Sequence, residues 1–218
     1  ELAKRYVDEG ADELVFLDIT ATHENRKTLV QLVKKIAEEI NIPFTVGGGI
    51  SEISDVDHLL KAGADKISIN SSAVKNPDLI KTFADKFGSQ CVVVAIDSKQ
   101  FGDEDYVFVN GGRIKTDYKT HDWAKKVEEL GAGEILLTSM DFDGTKQGFD
   151  VRLLNEISSI VNIPIIASGG AGKMEDFTKV FNETKATGAL AASIFHFGEI
   201  NINDLKQVLQ QQNIAIRF

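Results

Sequence analysis

A chain of 218 residues, 43% hydrophobic and 26% charged, is long enough to bury a full core, as one domain or as two closely packed halves. Its formal net charge of −9 argues against a nucleic-acid or anionic-membrane surface, because either polyanion is repelled on average. The single cysteine, Cys91, excludes a disulfide framework within the chain and a cysteine-based zinc site, as suits a reducing cytoplasm.

In chain order, short β-rich apolar runs alternate with longer amphipathic stretches, the pattern of β/α units on a parallel sheet. The opening "ELAKRYVDEGADELVFLDI" reads as the last turns of a helix entering a strand, so an element upstream of Glu1 is expected. Strands are predicted over residues 13–19, 43–46, 66–70, 91–97, 134–139, 164–167 and 189–193. Between the first two, Leu29, Leu32, Val33, Ile36, Ala37 and Ile40 recur at three- and four-residue steps and predict one apolar helix face. Asn76-Pro77 marks a helix start, and Asp150 opens another helical segment. The stretch "DSKQFGDEDYVFVNGGRIKTDYKT" interrupts the rhythm with a predicted hairpin that turns at Asn110-Gly111. No apolar run approaches the roughly 20 residues of a membrane span, and no signal-like segment opens the chain.

Sliding the sequence along itself exposes a duplication. Asn41-Ile42-Pro43 matches Asn162-Ile163-Pro164, Gly48-Gly49 matches Gly169-Gly170, and Glu13 matches Glu134, all at one shift of 121 residues. "ADKISINS" then falls on "ATGALAAS" one residue further on. Three strands of each half correspond in order, whereas the strand ending at Asp97 has no partner. Its counterpart, 121 residues earlier, lies upstream of Glu1. Seven strands and one implied predict an α/β fold: a (β/α)8 TIM barrel of two duplicated half-barrels, about 1–97 and 98–218, whose first strand lies outside the chain.

In such a barrel the chemistry gathers at the C-terminal strand ends. Glycines after a strand let backbone N–H groups approach an anion closely, so Gly47–Gly49 and Ser168–Gly170 point to phosphate, although a glycine at a tight turn is the bland alternative for either one alone. Two such turns in symmetry-related strands, followed by strands ending in Asn70-Ser71 and Ala192-Ser193, imply a bisphosphorylated substrate with one phosphate per half. Asp97, after the apolar "CVVVAI", is a candidate general acid or base, with a cap or salt bridge as the alternative. Asp143 in "SMDFDGT" invites the same reading or that of a turn, and Asp18 is a third candidate. Cys91 reads as a core strand residue, and His23, His58, His121 and His196 lack metal-ligand spacing, so neither metal nor cofactor is expected. At the strand starts, Glu13, Lys66 and Glu134 suggest a charged ring at the barrel floor, though each singly is better read as a solvated end.

"DELVFLDIT", "IPFTVGGGI", "ADKISINSSAVKNP", "FGSQCVVVAID", "GEILLTSMDFDGTKQGFD", "PIIASGGAGKMEDF" and "ALAASIFHF" stand in the order of one family's signatures. The chain resembles, essentially end to end, the cyclase subunit of imidazole glycerol phosphate synthase in histidine biosynthesis. The resemblance implies a barrel that takes ammonia from a glutaminase subunit docked at its floor. With it, the enzyme converts a bisphosphorylated ribulosyl-formimino aminoimidazole carboxamide ribonucleotide into imidazole glycerol phosphate and an aminoimidazole carboxamide ribonucleotide. Asp97 matches the second of two catalytic aspartates, the first belonging to the strand outside the chain. Gly49, Asn70 and Ser71 would hold one phosphate and Gly170, Ala192 and Ser193 the other. Glu13, Lys66 and Glu134 match an ammonia gate whose fourth member, an arginine on the first strand, is absent, and Asp65 and Gln90 would contact the glutaminase. Phe142 departs from the pattern, which has a basic residue there. The rival readings are the sister isomerase of the same pathway, which needs no ammonia gate, and a non-catalytic barrel that scaffolds a glutaminase.

Overall fold

The computed structural model describes residues 1–17 and 26–217. Within it the chain divides into two compact units, Glu1–Val94 with Leu130–Gly133, and Ala95–Glu129 with Glu134–Phe218. Asp18 lies outside the described residues.

In the first unit the elements run α1 (Leu2–Asp8), β1 (Leu14–Leu17), α2 (Arg26–Glu39), β2 (Phe44–Gly47), α3 (Ile53–Lys61), β3 (Lys66–Ile69), α4 (Ser71–Lys75), α5 (Asp78–Phe87), a 3-10 turn Ser89–Cys91 and the start of β4 (Val92–Phe101). Strands β1 to β4 are parallel neighbours in that order. Residues of both pleat directions are buried in β2 and at the start of β4, as expected of parallel strands covered on both faces. On α2, Val33 and Ile36 carry the burial, whereas Leu32 is 50% exposed. Leu32 sits about 100° around the helix from Val33, beside the buried stripe and not in it. Cys91 lies in the 3-10 turn and is half-buried, a correction to its expected place inside a strand. Pro77 takes the capping position of α5, so that helix starts one residue later than the Asn-Pro signal suggests.

The second unit holds the outer part of β4, then β5 (Glu104–Val109), β6 (Ile114–Lys119), α6 (Thr120–Glu129), β7 (Glu134–Ser139), α7 (Val151–Ser158), β8 (Ile165–Ser168), α8 (Met174–Glu183), β9 (Gly188–Leu190), α9 (Ser193–His196) and α10 (Ile202–Gln211). The parallel neighbours are β7, β8 and β9. The predicted hairpin is present: β5 and β6 pair antiparallel across Asn110, Gly111 and Gly112, whose φ values of 55°, 66° and 77° are what a tight hairpin turn demands. Strand β4 does not stop at Asp97. It continues to Phe101 because β5 supplies an antiparallel ladder, Asp97↔Phe108 through Phe101↔Glu104, which offsets the polar character of Ser98, Lys99 and Gln100. At the other end, β9 is shorter than expected, and Ser193 opens α9.

The duplication reaches the hydrogen bonds. Leu14 pairs with Phe44 and, 121 residues on, Ile135 with Ile165; Thr45 pairs with Lys66, and Ile166 with Gly188. The strand-entry bonds repeat too: Leu14 N–H donates to Pro43 O at 3.1 Å and Ile135 N–H to Pro164 O at 2.9 Å. Asp65 N–H donates to Phe44 O at 3.1 Å, as Thr187 N–H does to Ile165 O at 2.9 Å. A slip of one residue in either half would turn every side chain to the opposite face. The fold is α/β, with duplicated β/α halves of the kind that build a (β/α)8 barrel.

Candidate active site

Strand β2 ends in Gly47, and Gly48 and Gly49 follow with φ of 109° and 64°. Strand β8 ends in Ser168, and Gly169 and Gly170 follow with φ of 90° and 103°. These left-handed conformations favour glycine and turn the backbone sharply at the strand end. Gly47 is paired with Ser68, so Gly49 and Asn70, each two residues further along, stand at neighbouring strand ends, with Ser71 opening α4. Ser168 is paired with Leu190, which does the same for Gly170 and Ala192, with Ser193 opening α9. The residues after the strands repeat even an uncommon backbone conformation, φ −130° and ψ −88° at Asn70 against φ −115° and ψ −71° at Ala192. Each half therefore brings its predicted phosphate residues together.

In the second half the turn is tightly packed. Gly148 N–H donates to Gly170 O at 2.8 Å, and a Cβ on Gly170 would collide with the Gly148 carbonyl oxygen. One on Gly169 would lie 2.7 Å from Ser139 O and 3.3 Å from the Cβ of Asp143, which places exposed Asp143 against this turn. Phe142 lies beside Gly170. The loop carrying Asp143 is held by Asp143 N–H to Ser139 O at 2.9 Å and by Lys146, whose ammonium meets both carboxylate oxygens of Glu199 at 2.7 and 2.6 Å. Asp150 is buried, caps α7 through Leu153 N–H at 3.0 Å and accepts from Ser139 Oγ at 2.9 Å.

Asp97 is half-buried in mid-strand, between fully buried Ile96 and Ser98. Ser98 is pinned on two sides, by its hydroxyl against Thr120 Oγ1 at 2.7 Å and by its carbonyl accepting from Met140 N–H at 2.8 Å. Alternation then turns Asp97 to the other sheet face, the one shared by Lys99 and Phe101 and, across the ladder, by Tyr106 and Phe108. The ladder is braced from outside by Arg152, whose two terminal nitrogens fork onto Asp105 at 2.7 and 3.0 Å; this pairing raises the arginine pKa above its ordinary value.

At the N-terminal strand ends of the first unit, Lys66 Nζ meets Glu13 Oε2 at 2.9 Å. Exposed Asp65 accepts from Phe44 N–H at 3.0 Å, and exposed Gln90 sits in the turn before β4. Burial, aided by the Asp65 carboxylate, pushes the Cys91 thiol up. In the second unit Glu134, half-buried, opens β7. Among the described residues no group of three His, Cys, Asp or Glu side chains is arranged to hold a metal ion, and no helix is long and apolar enough to cross a membrane.

The sequence matches a family model described as "Histidine biosynthesis protein" over residues 1–201. It is 62% identical over 218 residues to "Imidazole glycerol phosphate synthase subunit HisF" of Flavobacterium johnsoniae, covering 100% of this chain and 87% of the relative. The HisF proteins of Clostridium botulinum strain Okra and Bacillus cereus strain Q1 are 58% and 57% identical with the same coverage. The chain belongs to this family. It is thus an enzyme subunit of the HisF type, the cyclase subunit of imidazole glycerol phosphate synthase in histidine biosynthesis.

Two residues of this HisF chain escaped the sequence reading. Asp55 Oδ2 accepts from Ser51 N–H and Glu52 N–H, both at 3.0 Å, and Asp176 Oδ2 accepts from Gly172 N–H and Lys173 N–H, both at 2.9 Å. They stand 121 residues apart, one after each glycine turn. The signal was the repeat itself, because among many exposed acids only alignment of the halves singles these two out.

Proposed function

We propose that this chain performs the cyclase reaction on a bisphosphorylated ribulosyl-formimino aminoimidazole carboxamide ribonucleotide, using ammonia delivered by a glutaminase partner. The observation that carries the reading is the repeated pairing of a glycine turn with the neighbouring strand end, Gly49 with Asn70 and Ser71, and Gly170 with Ala192 and Ser193. Backbone N–H groups at such turns favour phosphate oxygens, and two of them match a substrate with two phosphates. Ser168 and Asp143 border the second turn and would meet the substrate there.

Asp97 serves as general acid or base, exchanging protons with the substrate as the imidazole ring closes and the carboxamide nucleotide leaves. Its place between buried Ile96 and buried, doubly bonded Ser98 fixes its backbone, and a fixed carboxylate loses little entropy in the transition state. The glutaminase docks at the N-terminal strand ends, touching Asp65 and Gln90. The Lys66–Glu13 ion pair at these strand ends gates entry. Neutral ammonia crosses an apolar interior far more readily than ammonium, whose charge costs too much to bury.

The test is turnover of the bisphosphate with added ammonium salt at high pH. Asp97→Asn should lower the rate by about 10²–10⁴ while substrate affinity stays within about tenfold, since a proton-transfer group is lost with little change of volume. Normal turnover in that variant would remove Asp97 from the mechanism. Isomerisation without ammonia would favour the sister isomerase, and no turnover on either route would favour the scaffold.

A further inference from the structure

We infer that Asp55 and Asp176 are a duplicated pair of positioning residues, each holding one glycine turn in the shape that receives a phosphate. The inference rests on the phosphate reading above. An acidic residue in the third position of a helix usually reaches back to the capping residue alone. Here each carboxylate oxygen also takes the N–H one residue earlier, Ser51 in one half and Gly172 in the other, two residues beyond Gly49 and Gly170 respectively. Each aspartate therefore clamps the glycine turn to the start of the following helix.

The clamp is deeper in the second half. Asp176 is 7% exposed. A Cβ on Gly148 would lie 3.3 Å from its other oxygen, and Gly148 in turn donates to Gly170 O. Asp176 is thus enclosed between Gly148 and the start of α8, whereas Asp55 is half-buried. The carboxylates hold the N–H groups of the capping residues Glu52 and Lys173, and their negative charge disfavours an anion at the starts of α3 and α8.

Charge and geometry predict opposite outcomes on removal. A carboxylate near a phosphate repels it, so loss of charge alone should tighten binding; loss of the clamp should weaken it. The experiment titrates inorganic phosphate into the ¹⁵N-labelled chain and follows the Gly49 and Gly170 amides as separate reporters. Asp176→Ala should raise the phosphate Kd at the Gly170 turn about tenfold, the value of one lost charge-assisted bond, and leave the Gly49 turn within about twofold. Asp55→Ala should give the mirror image with a smaller shift. Asp176→Asn keeps an acceptor oxygen and should stay within about threefold of the unsubstituted chain. A mere helix cap would lower Tm with both affinities unchanged, and that result overturns the inference. So does tighter binding in the Ala variant or, should that variant not fold, more than about tenfold tighter binding in the Asn variant. Silence of both glycine amides in the unsubstituted chain would instead overturn the phosphate reading on which the inference stands.

Discussion

Where Leu17 lies beside Gly47 at the end of the first half's ladder, the second half has Thr138 beside Ser168. A Cβ on Gly47 would lie 2.7 Å from Leu17 Cδ2 and 3.1 Å from Ser68 Cβ, so a side chain there requires the exposed leucine to swing aside, while the smaller threonine admits a serine. The turns beyond differ in the same manner. Asp176 is buried under a loop tied down by Lys146 and Asp150, while Asp55 stands half-exposed, and the position matching Asp150 holds Leu29. Backbone register and left-handed turns are common to both halves, and volume has been exchanged between neighbouring side chains. Duplication has kept what the backbone must do and let packing vary in compensating pairs.

The largest effect that tests this contrast is expected at Gly170. Gly170→Ala combines a φ of 103° with a collision against the Gly148 carbonyl, and should cost about 3 kcal/mol in urea unfolding. Gly49→Asn, at a φ of 64° in the region asparagine tolerates, should cost about 1 kcal/mol. Equal costs would mean that the two turns are not packed differently. Next comes Asp150→Ala, which strips a buried cap and leaves Ser139 Oγ without that acceptor. A loss of about 2 kcal/mol by calorimetry is expected, and a change under about 0.5 kcal/mol would show that the second half does not depend on this carboxylate. The smallest effect sharpens the volume exchange. Gly47→Ser alone should cost about 1 kcal/mol, and much less when Leu17→Ala is present; additive costs would refute the compensation.

Much of this was legible beforehand. The shift of 121 residues predicted the strand pairing of both halves, since parallel ladders with buried faces tolerate no slip. Asn110-Gly111 announced the hairpin because few other residue pairs accept consecutive positive φ values. The continuation of β4 past Asp97 was not legible. Ser98-Lys99-Gln100 is polar, and what makes it a strand is a partner that composition does not reveal. The end of β9 was missed because "ALAAS" suits a strand or a helix, and the conformation at Ala192 is set by its surroundings. Of the site, glycines and strand-end residues could be read from local rules. The clamping aspartates could not, because a carboxylate that bonds two consecutive amides looks in sequence like any acid in a first helical turn.

The hairpin that extends β4 ends in open space. A Cβ built on Gly102 or on Gly111 would meet nothing within 4 Å, whereas one on the adjacent Gly112 would strike Met140. Gly111 thus faces open space, the usual setting of a tolerated insertion of foreign chain. The Arg152–Asp105 fork braces the hairpin independently of its tip. A fluorescent or affinity module inserted there would ride on the ladder that holds Asp97, and would serve as an antenna for whatever bends that strand during turnover.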